Sequence, residues 1–343
     1  MKALVLEEYG KLVYGDVPSP VVGSGEVLVE VKACGICGSD VHGMDGSSGR
    51  RIPPLIMGHE AAGVIAEVGK GVGGWKSGDR VTFDSTVYCG DCHFCRAGKI
   101  NLCDRRRVLG VACEEFRQEG ALAEYVAVPA RILYRIPEGV SFEHAAMVEP
   151  ISVAVHAVNR TPVRLNDTAV VIGAGVIGLL VVQALRAAGC GRIIAVDLSP
   201  TRLELAGELG ADEVLRSDEV DVVEAVRERT GGRGADIAVE AVGIDQTVRT
   251  AVDCVRKGGA VTLVGNVSPR VELLLQAAVT RELSLYGSAA SCGEYPDCLD
   301  LMQRGTVRVE AIISAVAPLS EGATWFQRLR DGEKGLVKVI LVP

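Results

Sequence analysis

Aromatic side chains are scarce in this chain, with two Trp, seven Tyr and five Phe among 343 residues. A ligand pocket is therefore lined mainly by aliphatic and small side chains, and a platform for stacking nucleic-acid bases is not expected. Positive charge is short as well. Lys and Arg number 36 against 44 Asp and Glu, a net −8, and the longest basic run is Arg105-Arg106-Arg107. That balance argues against a nucleic-acid partner. No apolar run reads as a membrane span. Residues 168–185 are uncharged, but Gly173, Gly175 and Gly178 interrupt them, and a buried strand, turn and helix give the same run. The opening Met-Lys-Ala-Leu-Val-Leu-Glu-Glu alternates like a strand and lacks the basic and apolar regions of a signal peptide, so a cytoplasmic location is expected.

What is present points to two domains, since the length exceeds the usual range for one. Hydrophobic residues at 48 % supply a core, and 41 glycines imply many tight turns and close backbone approaches. The first half reads as short strands and loops, with strands expected over 26–31, 61–68, 80–83 and 123–128. From about residue 168 strand and helix alternate: a strand over 169–173 and a helix to 188, then a strand over 192–197 and a helix over 200–209. Further strands follow over 235–241, 259–265 and 283–286. Such alternation predicts a parallel sheet covered by helices. Beyond Gly287 the pattern is lost until a strand-like 336–342, which suggests a nucleotide domain inserted into a β-rich one.

Gly173-Ala174-Gly175-Val176-Ile177-Gly178 has the spacing of a dinucleotide fingerprint, with an apolar strand before it and an apolar helix after it, the two conditions that give the motif meaning. The first glycine permits the turn, the second admits a pyrophosphate to backbone N–H groups, and the third lets the helix lie close on the strand. A second apolar strand ends in Asp197, nineteen positions after Gly178. A carboxylate there accepts hydrogen bonds from ribose hydroxyls and repels a 2′-phosphate, so NAD is expected over NADP.

Eleven cysteines would suggest disulfides in a secreted protein, but their clustering suggests metal. Cys89, Cys92, Cys95 and Cys103 lie in one short stretch, enough for a closed tetrahedral zinc site. His93 is surplus to that set and reads as a solvated loop residue. A second, dispersed group comprises Cys37, His59 and Glu60. A thiolate, an imidazole and a carboxylate or water oxygen make a catalytic zinc site with an exchangeable position, although Cys34 and Cys37 also have the spacing of a redox pair. His144 and His156 match no ligand spacing and read as core or surface histidines.

Together these stretches, with Cys37-Gly38-Ser39-Asp40-Val41-His42, Gly58-His59-Glu60, Gly78-Asp79-Arg80-Val81, Ala123-Glu124-Tyr125 and Glu149-Pro150, resemble the zinc-dependent medium-chain dehydrogenase/reductases. The likeness is to their polyol branch of sorbitol, galactitol-phosphate, butanediol and threonine dehydrogenases. It implies an α/β fold, a Rossmann doubly wound parallel sheet over 156–289 and a β-rich, chaperonin-10-like catalytic domain over 1–155 and 290–343. It implies two zincs per chain, one catalytic and one structural, together with NAD, an alcohol or polyol substrate, and assembly as a homodimer or homotetramer. Cys37 and His59 would be zinc ligands, with Glu60, or a water held by Glu149, completing the set. Ser39 would contact the substrate hydroxyl, and His42 would form the outer end of a proton relay. Ile177, Asp197 and Arg202 would contact the cofactor, and Val264 and Ser288 its nicotinamide end.

The sequence departs from sorbitol dehydrogenases at Ala290 and Ser291, where that branch carries an Arg-Tyr pair, and at Gly43, where it carries an aromatic residue. A pocket without those groups is expected to handle sorbitol poorly. Arg50, Arg51 and Arg105–Arg107 are candidate anchors for a substrate anion or, alternatively, a solvated charged surface. Two other functions stand beside the leading one: a nicotinamide-dependent reductase without catalytic zinc, which Cys37, His59 and Glu149 argue against, and a zinc-bearing regulatory module, which the net charge disfavours.

Overall fold

The computed structural model describes residues 1–343 and divides into two compact units, Met1–Glu149 with Tyr295–Gln303 and Ile313–Pro343, and Pro150–Glu294 with Arg304–Ile312. In the first, Glu26–Gly35 alternates buried and half-buried residues along most of its length, the period-two signature of a strand with one face on a core. It is the hub of a seven-stranded sheet. Glu60–Val68 and Lys338–Val342 flank it, Arg80–Phe83 and Leu133–Arg135 extend one side, Ile313–Pro318 the other, and Tyr125–Pro129 also pairs with it. Leu4, Leu6, Val29, Ile65, Phe83, Leu122 and Phe326 are wholly buried in its core.

The register of this sheet makes the site. Glu60 stands opposite Gly35, and Gly35 stands opposite Ile340 on the next strand. The segment after Gly35, the start of the Glu60 strand and the start of the Lys338 strand therefore meet at one end. Gly35 is needed there, because a Cβ would fall 2.3 Å from Glu60 Oε2 and 2.9 Å from Lys338 Cε.

The second unit has six strands in the spatial order Glu213–Arg216, Arg192–Asp197, Thr168–Ile172, Ala235–Glu240, Val255–Leu263, Ser284–Gly287. Every pairing is parallel, and the order is that of a dinucleotide-binding doubly wound sheet. The central Thr168–Ile172 is buried along Ala169 to Ile172, as a strand covered by helices on both faces must be. No helix of the protein is long and apolar enough to cross a membrane.

The sequence puts the divisions after residues 155 and 289. The boundaries fall at Glu149/Pro150 and Glu294/Tyr295, and Arg304–Ile312 belongs with the parallel sheet. The physical reason is Gln183, a buried amide in an otherwise apolar helix. Its Nε2 donates to the Arg308 carbonyl at 3.0 Å, and its Oε1 accepts from the Arg308 N–H at 2.8 Å, so one side chain ties a returning segment into the unit. Past Gly287, where no pattern was legible, lie the helices Tyr295–Gln303 and Gly322–Arg330 and the strand Ile313–Pro318. The edge strand Glu213–Arg216 was also missed: it has four residues, and only Leu215 is buried.

The glycine turn gives a stability test. A Cβ at Gly178 would sit 1.7 Å from the Gly173 carbonyl oxygen, whereas one at Gly175 would meet no protein atom within 4 Å. Gly178→Ala should therefore cost about 1–3 kcal/mol in urea unfolding, as overpacking against rigid backbone does. Gly175→Ala should leave the unfolding midpoint of the ligand-free protein within error.

Candidate active site and cofactor site

Strand Glu26–Gly35 ends just before Cys37, which caps the short helix Gly38–Gly43. Ser39 and His42 lie on this helix and are exposed, whereas Asp40 between them is buried. Glu60 opens the adjoining strand, His59 immediately precedes it, and both are buried. One ligand atom each from Cys37, His59 and Glu60 falls within 4.8 Å of the others. Ser39 Oγ donates to Cys37 Sγ at 3.2 Å. Glu149 is close by, held by a 3.1 Å hydrogen bond from Ser85 Oγ to its Oε1.

The electrostatics of this group suit a cation. His59 Nδ1 faces Asp40 Oδ2 at 3.4 Å, which leaves Nε2 as the nitrogen available to a ligand. Burial opposes charge on His59, yet Asp40 and Cys37 outweigh it and lift the imidazole to about 10. Burial likewise pushes the Glu149 carboxyl up to about 7. Two buried side chains already answer part of the negative charge. Lys338 Nζ pairs with Glu60 Oε2 and donates to the Ile36 carbonyl at 3.0 Å, while Arg51 clamps Asp40. A soft thiolate, an imidazole and a carboxylate in an acid-rich corner fit a zinc ion.

The four-cysteine loop converges as its spacing predicts. Ligand atoms of Cys89, Cys92, Cys95 and Cys103 all lie within 4.8 Å of one another, and none is in a disulfide. Backbone N–H groups of Cys89 and Arg105 donate to Cys103 Sγ at 3.3 and 3.4 Å, and that of Cys95 donates to Cys92 Sγ at 3.5 Å. The last of these helps to draw the Cys92 thiol down to about 7. Such N–H donation favours thiolate, the form that binds metal. His93 is exposed and opens the short helix His93–Arg96. This loop fits a second zinc with no position open to substrate.

In the second unit Gly173 has φ +94 and receives the turn between strand and helix. Helix Val176–Ala187 starts at Gly175 with no side-chain cap, so its first-turn N–H groups are available to an anion. Asp197 Oδ2 accepts from the Ala174 N–H at 2.7 Å and Oδ1 from the Ser199 N–H at 2.8 Å. The acid thus holds the glycine turn as well as being placed for a ribose, with lone pairs to spare. Ile177, Arg202, Val264 and Ser288 are all half-buried. Val264 follows the strand Val255–Leu263 and Ser288 follows Ser284–Gly287, so both stand at carboxyl ends of parallel strands, where ligands of such sheets bind. The Ser288 hydroxyl oxygen is buried without a partner, an orphan that a nicotinamide amide suits. The uncapped helix, the open face of Gly175 and this hydroxyl fit a dinucleotide.

The remaining expectations sort by burial. His156 pairs with Glu294 at 2.7 Å inside the second unit. Ser291 is buried, and Ala290 has φ +53. Arg51 is neither a solvated charge nor a free anion anchor, being 4 % exposed and paired with Asp40. Sequence reasoning gave no such role to three residues beside the ligand group: Asp40, Arg51 and Lys338. Nothing in their local stretches marks them as buried, and only the fold brings them beside the ligand group.

Residues 23–138 match the alcohol dehydrogenase GroES-like domain, and residues 176–304 match the zinc-binding dehydrogenase family. A probable D-xylulose reductase A of Arthroderma otae is 36 % identical over 98 % of this chain and 96 % of its own. Sorbitol dehydrogenase of Bacillus subtilis is 33 % identical over 100 % of this chain and 97 % of its own. The crystal structure of a zinc-binding dehydrogenase from Sinorhizobium meliloti bound to NADP superposes with a TM-score of 0.93 at 33 % identity, covering 100 % of this chain and 99 % of that one. Likeness at this level runs the length of the chain and through both units, and the protein belongs to the zinc-type alcohol dehydrogenase family, as an enzyme of alcohol or polyol oxidoreduction.

Proposed function

We propose that this enzyme interconverts a small secondary alcohol or polyol and its ketone with NAD, using Cys37, His59 and a carboxylate, Glu60 or Glu149, to hold a catalytic zinc. The observation that carries the reading is the convergence of Cys37, His59 and Glu60 beside the exposed Ser39 hydroxyl. Zinc bound there supplies Lewis-acid chemistry that makes a hydroxyl proton acidic near neutral pH. Ser39 is placed to accept a hydrogen bond from that hydroxyl, and His42, exposed at the end of the same helix, would take up the proton and deliver it to water. NAD, held by the glycine turn and Asp197, would supply the acceptor for the hydride lost from the alcohol carbon, so that alcohol and NAD balance ketone, NADH and one proton.

Asp197 supports NAD over NADP, because a carboxylate at the end of the second strand repels a 2′-phosphate. Gly173, Gly175, Ile177, Gly178, Arg202, Val264 and Ser288 complete the cofactor site in this reading. The curated relatives named above act, by their names, on xylulose and sorbitol; for this chain we favour a small secondary alcohol or polyol other than sorbitol, a phosphorylated polyol among them. The motive is in the sequence: Gly43, Ala290 and Ser291 stand where sorbitol dehydrogenases carry an aromatic residue and an Arg-Tyr pair. The cytoplasm suits a protein whose eleven cysteines are all free. Exposed Val267, Val271, Leu273, Leu275 and Val279 favour self-association as a homodimer or homotetramer, which sedimentation equilibrium measures.

Four tests follow from these assignments. Cys37→Ala or His59→Ala should abolish NAD-dependent alcohol oxidation while the protein keeps one zinc per chain by elemental analysis. Retention of two zincs and full activity would remove the catalytic-metal assignment. Cys→Ser at position 89, 92, 95 or 103 should lower the melting temperature more than kcat, since a closed site contributes folding free energy. Asp197→Gly with Leu198→Arg should shift the NAD/NADP ratio of kcat/KM toward NADP by about tenfold or more, equivalent to about 1.4 kcal/mol. The substrate itself is identified by assaying sorbitol, 2,3-butanediol, threonine and a hexitol phosphate with NAD; sorbitol preferred by tenfold over the others would overturn the pocket reading.

A further inference from the structure

Gly43 closes the helix Gly38–Gly43, and its own backbone does not call for glycine. Its neighbour does. A Cβ at position 43 would fall 2.8 Å from Arg51 Cγ and 2.9 Å from Ser48 Oγ. Cγ lies near the stem of the arginine, so swinging the guanidinium aside would not relieve the contact. The space over Gly43 is filled by an arginine that is 4 % exposed, and its donors are spent on this corner of the protein. Nε donates to Asp40 Oδ1 at 2.8 Å, one terminal nitrogen lies 2.7 Å from the same oxygen and donates to Ser39 Oγ at 3.3 Å, and the other donates to the Arg50 carbonyl at 3.0 Å.

Two consequences follow for the neighbours of the zinc-ligand group. A serine hydroxyl has one hydrogen and two lone pairs. With one lone pair taken by Arg51 and the hydrogen directed to Cys37 Sγ at 3.2 Å, the rotor of Ser39 is fixed and a single lone pair faces outward. Asp40, pinned through Oδ1, is left with Oδ2 turned toward His59 Nδ1 at 3.4 Å. One planar guanidinium fork thus sets the direction of two groups, a geometry that an ammonium cannot reproduce.

We infer that Arg51 is a positioning residue for the reaction, orienting the Ser39 hydroxyl toward the substrate alcohol and the Asp40 carboxylate toward His59, and that Gly43 is the residue whose missing Cβ admits it. This rests on the alcohol-oxidising role given to Ser39. Positions 43 and 51 are therefore coupled, and a side chain at 43 acts by displacing Arg51.

The test uses the zinc-loaded enzyme carrying Arg51→Met, Arg51→Lys, Gly43→Val and Ser39→Ala, singly and with Arg51→Met combined with each of the last two. Arg51→Met should lower kcat with KM nearly unchanged, and Arg51→Lys should not restore it. In the Ser39→Ala background the further loss from Arg51→Met should shrink markedly, because residues acting through one contact are not additive. Gly43→Val should reproduce the Arg51→Met defect and add little to it. Release of zinc from the Cys37 group to a chelator, which needs no substrate, should quicken by about tenfold or more in Arg51→Met, as loss of a carboxylate-orienting partner does. Should Arg51→Met fail to fold, as stranding the buried Asp40 charge could cause, Arg51→Lys and Gly43→Val carry the same comparisons. Equal losses with and without Ser39, or an unchanged zinc-release rate, overturn the inference. A wild-type enzyme with two zincs that oxidises no alcohol overturns instead the functional reading, and zinc release still decides the role of Arg51 at Asp40.

Discussion

Gathering a thiol, an imidazole and three carboxyl groups where water is largely excluded is electrostatically costly, because each charge loses hydration that its neighbours do not replace. The first unit offsets this with two buried cations, Lys338 brought from far along the chain against Glu60 and Arg51 from the loop after the short helix against Asp40. Neither pair is a surface salt bridge of the kind that contributes little. Both are 4 % exposed or less, and removing either cation would strand a carboxylate beside the reaction centre. The sheet register serves this arrangement: Gly35 has no side chain because Glu60 and Lys338 meet across it.

The second unit solves a different problem, that of presenting backbone N–H groups to an anion without presenting side chains. Its glycine turn keeps three glycines for three reasons. Gly173 needs a positive φ, Gly178 has no room for a Cβ against Gly173, and Gly175 faces open space. Asp197 links the turn to the neighbouring strand by accepting from Ala174. The same carboxylate that would discriminate between cofactors therefore also holds the loop that would bind their phosphates, and substitution there alters both.

Much of this was legible in the sequence because the relevant constraints are local. The glycine fingerprint, the acid after the second strand and the four-cysteine loop each depend on spacings within one short segment, and the parallel-sheet unit shows itself through simple alternation. What escaped depends on which charged side chains the fold buries together. Lys338 meets Glu60 across 278 positions, and no local pattern distinguishes it from a solvated lysine. Arg51 stands next to Arg50 in sequence, and two adjacent arginines look like surface charge until the fold buries one of them. The return of Arg304–Ile312 to the second unit depends on Gln183, whose polarity inside an apolar helix was the one available clue.

The placing of Lys338 has a consequence for how the molecule is made. The strand Lys338–Val342 lies inside the first unit's sheet, next to Glu26–Gly35, although most of that unit is synthesised before residue 150. At ribosomal rates of 5–20 residues per second, the early strands wait roughly 10–40 s for their neighbour. Throughout that interval Glu60 lacks its ammonium partner and the sheet has a raw edge at Gly35. The nascent chain thus carries its soft ligands before their electrostatic setting is finished, and the mature metal-binding geometry is acquired only once the Lys338 strand has been made and has paired beside Gly35.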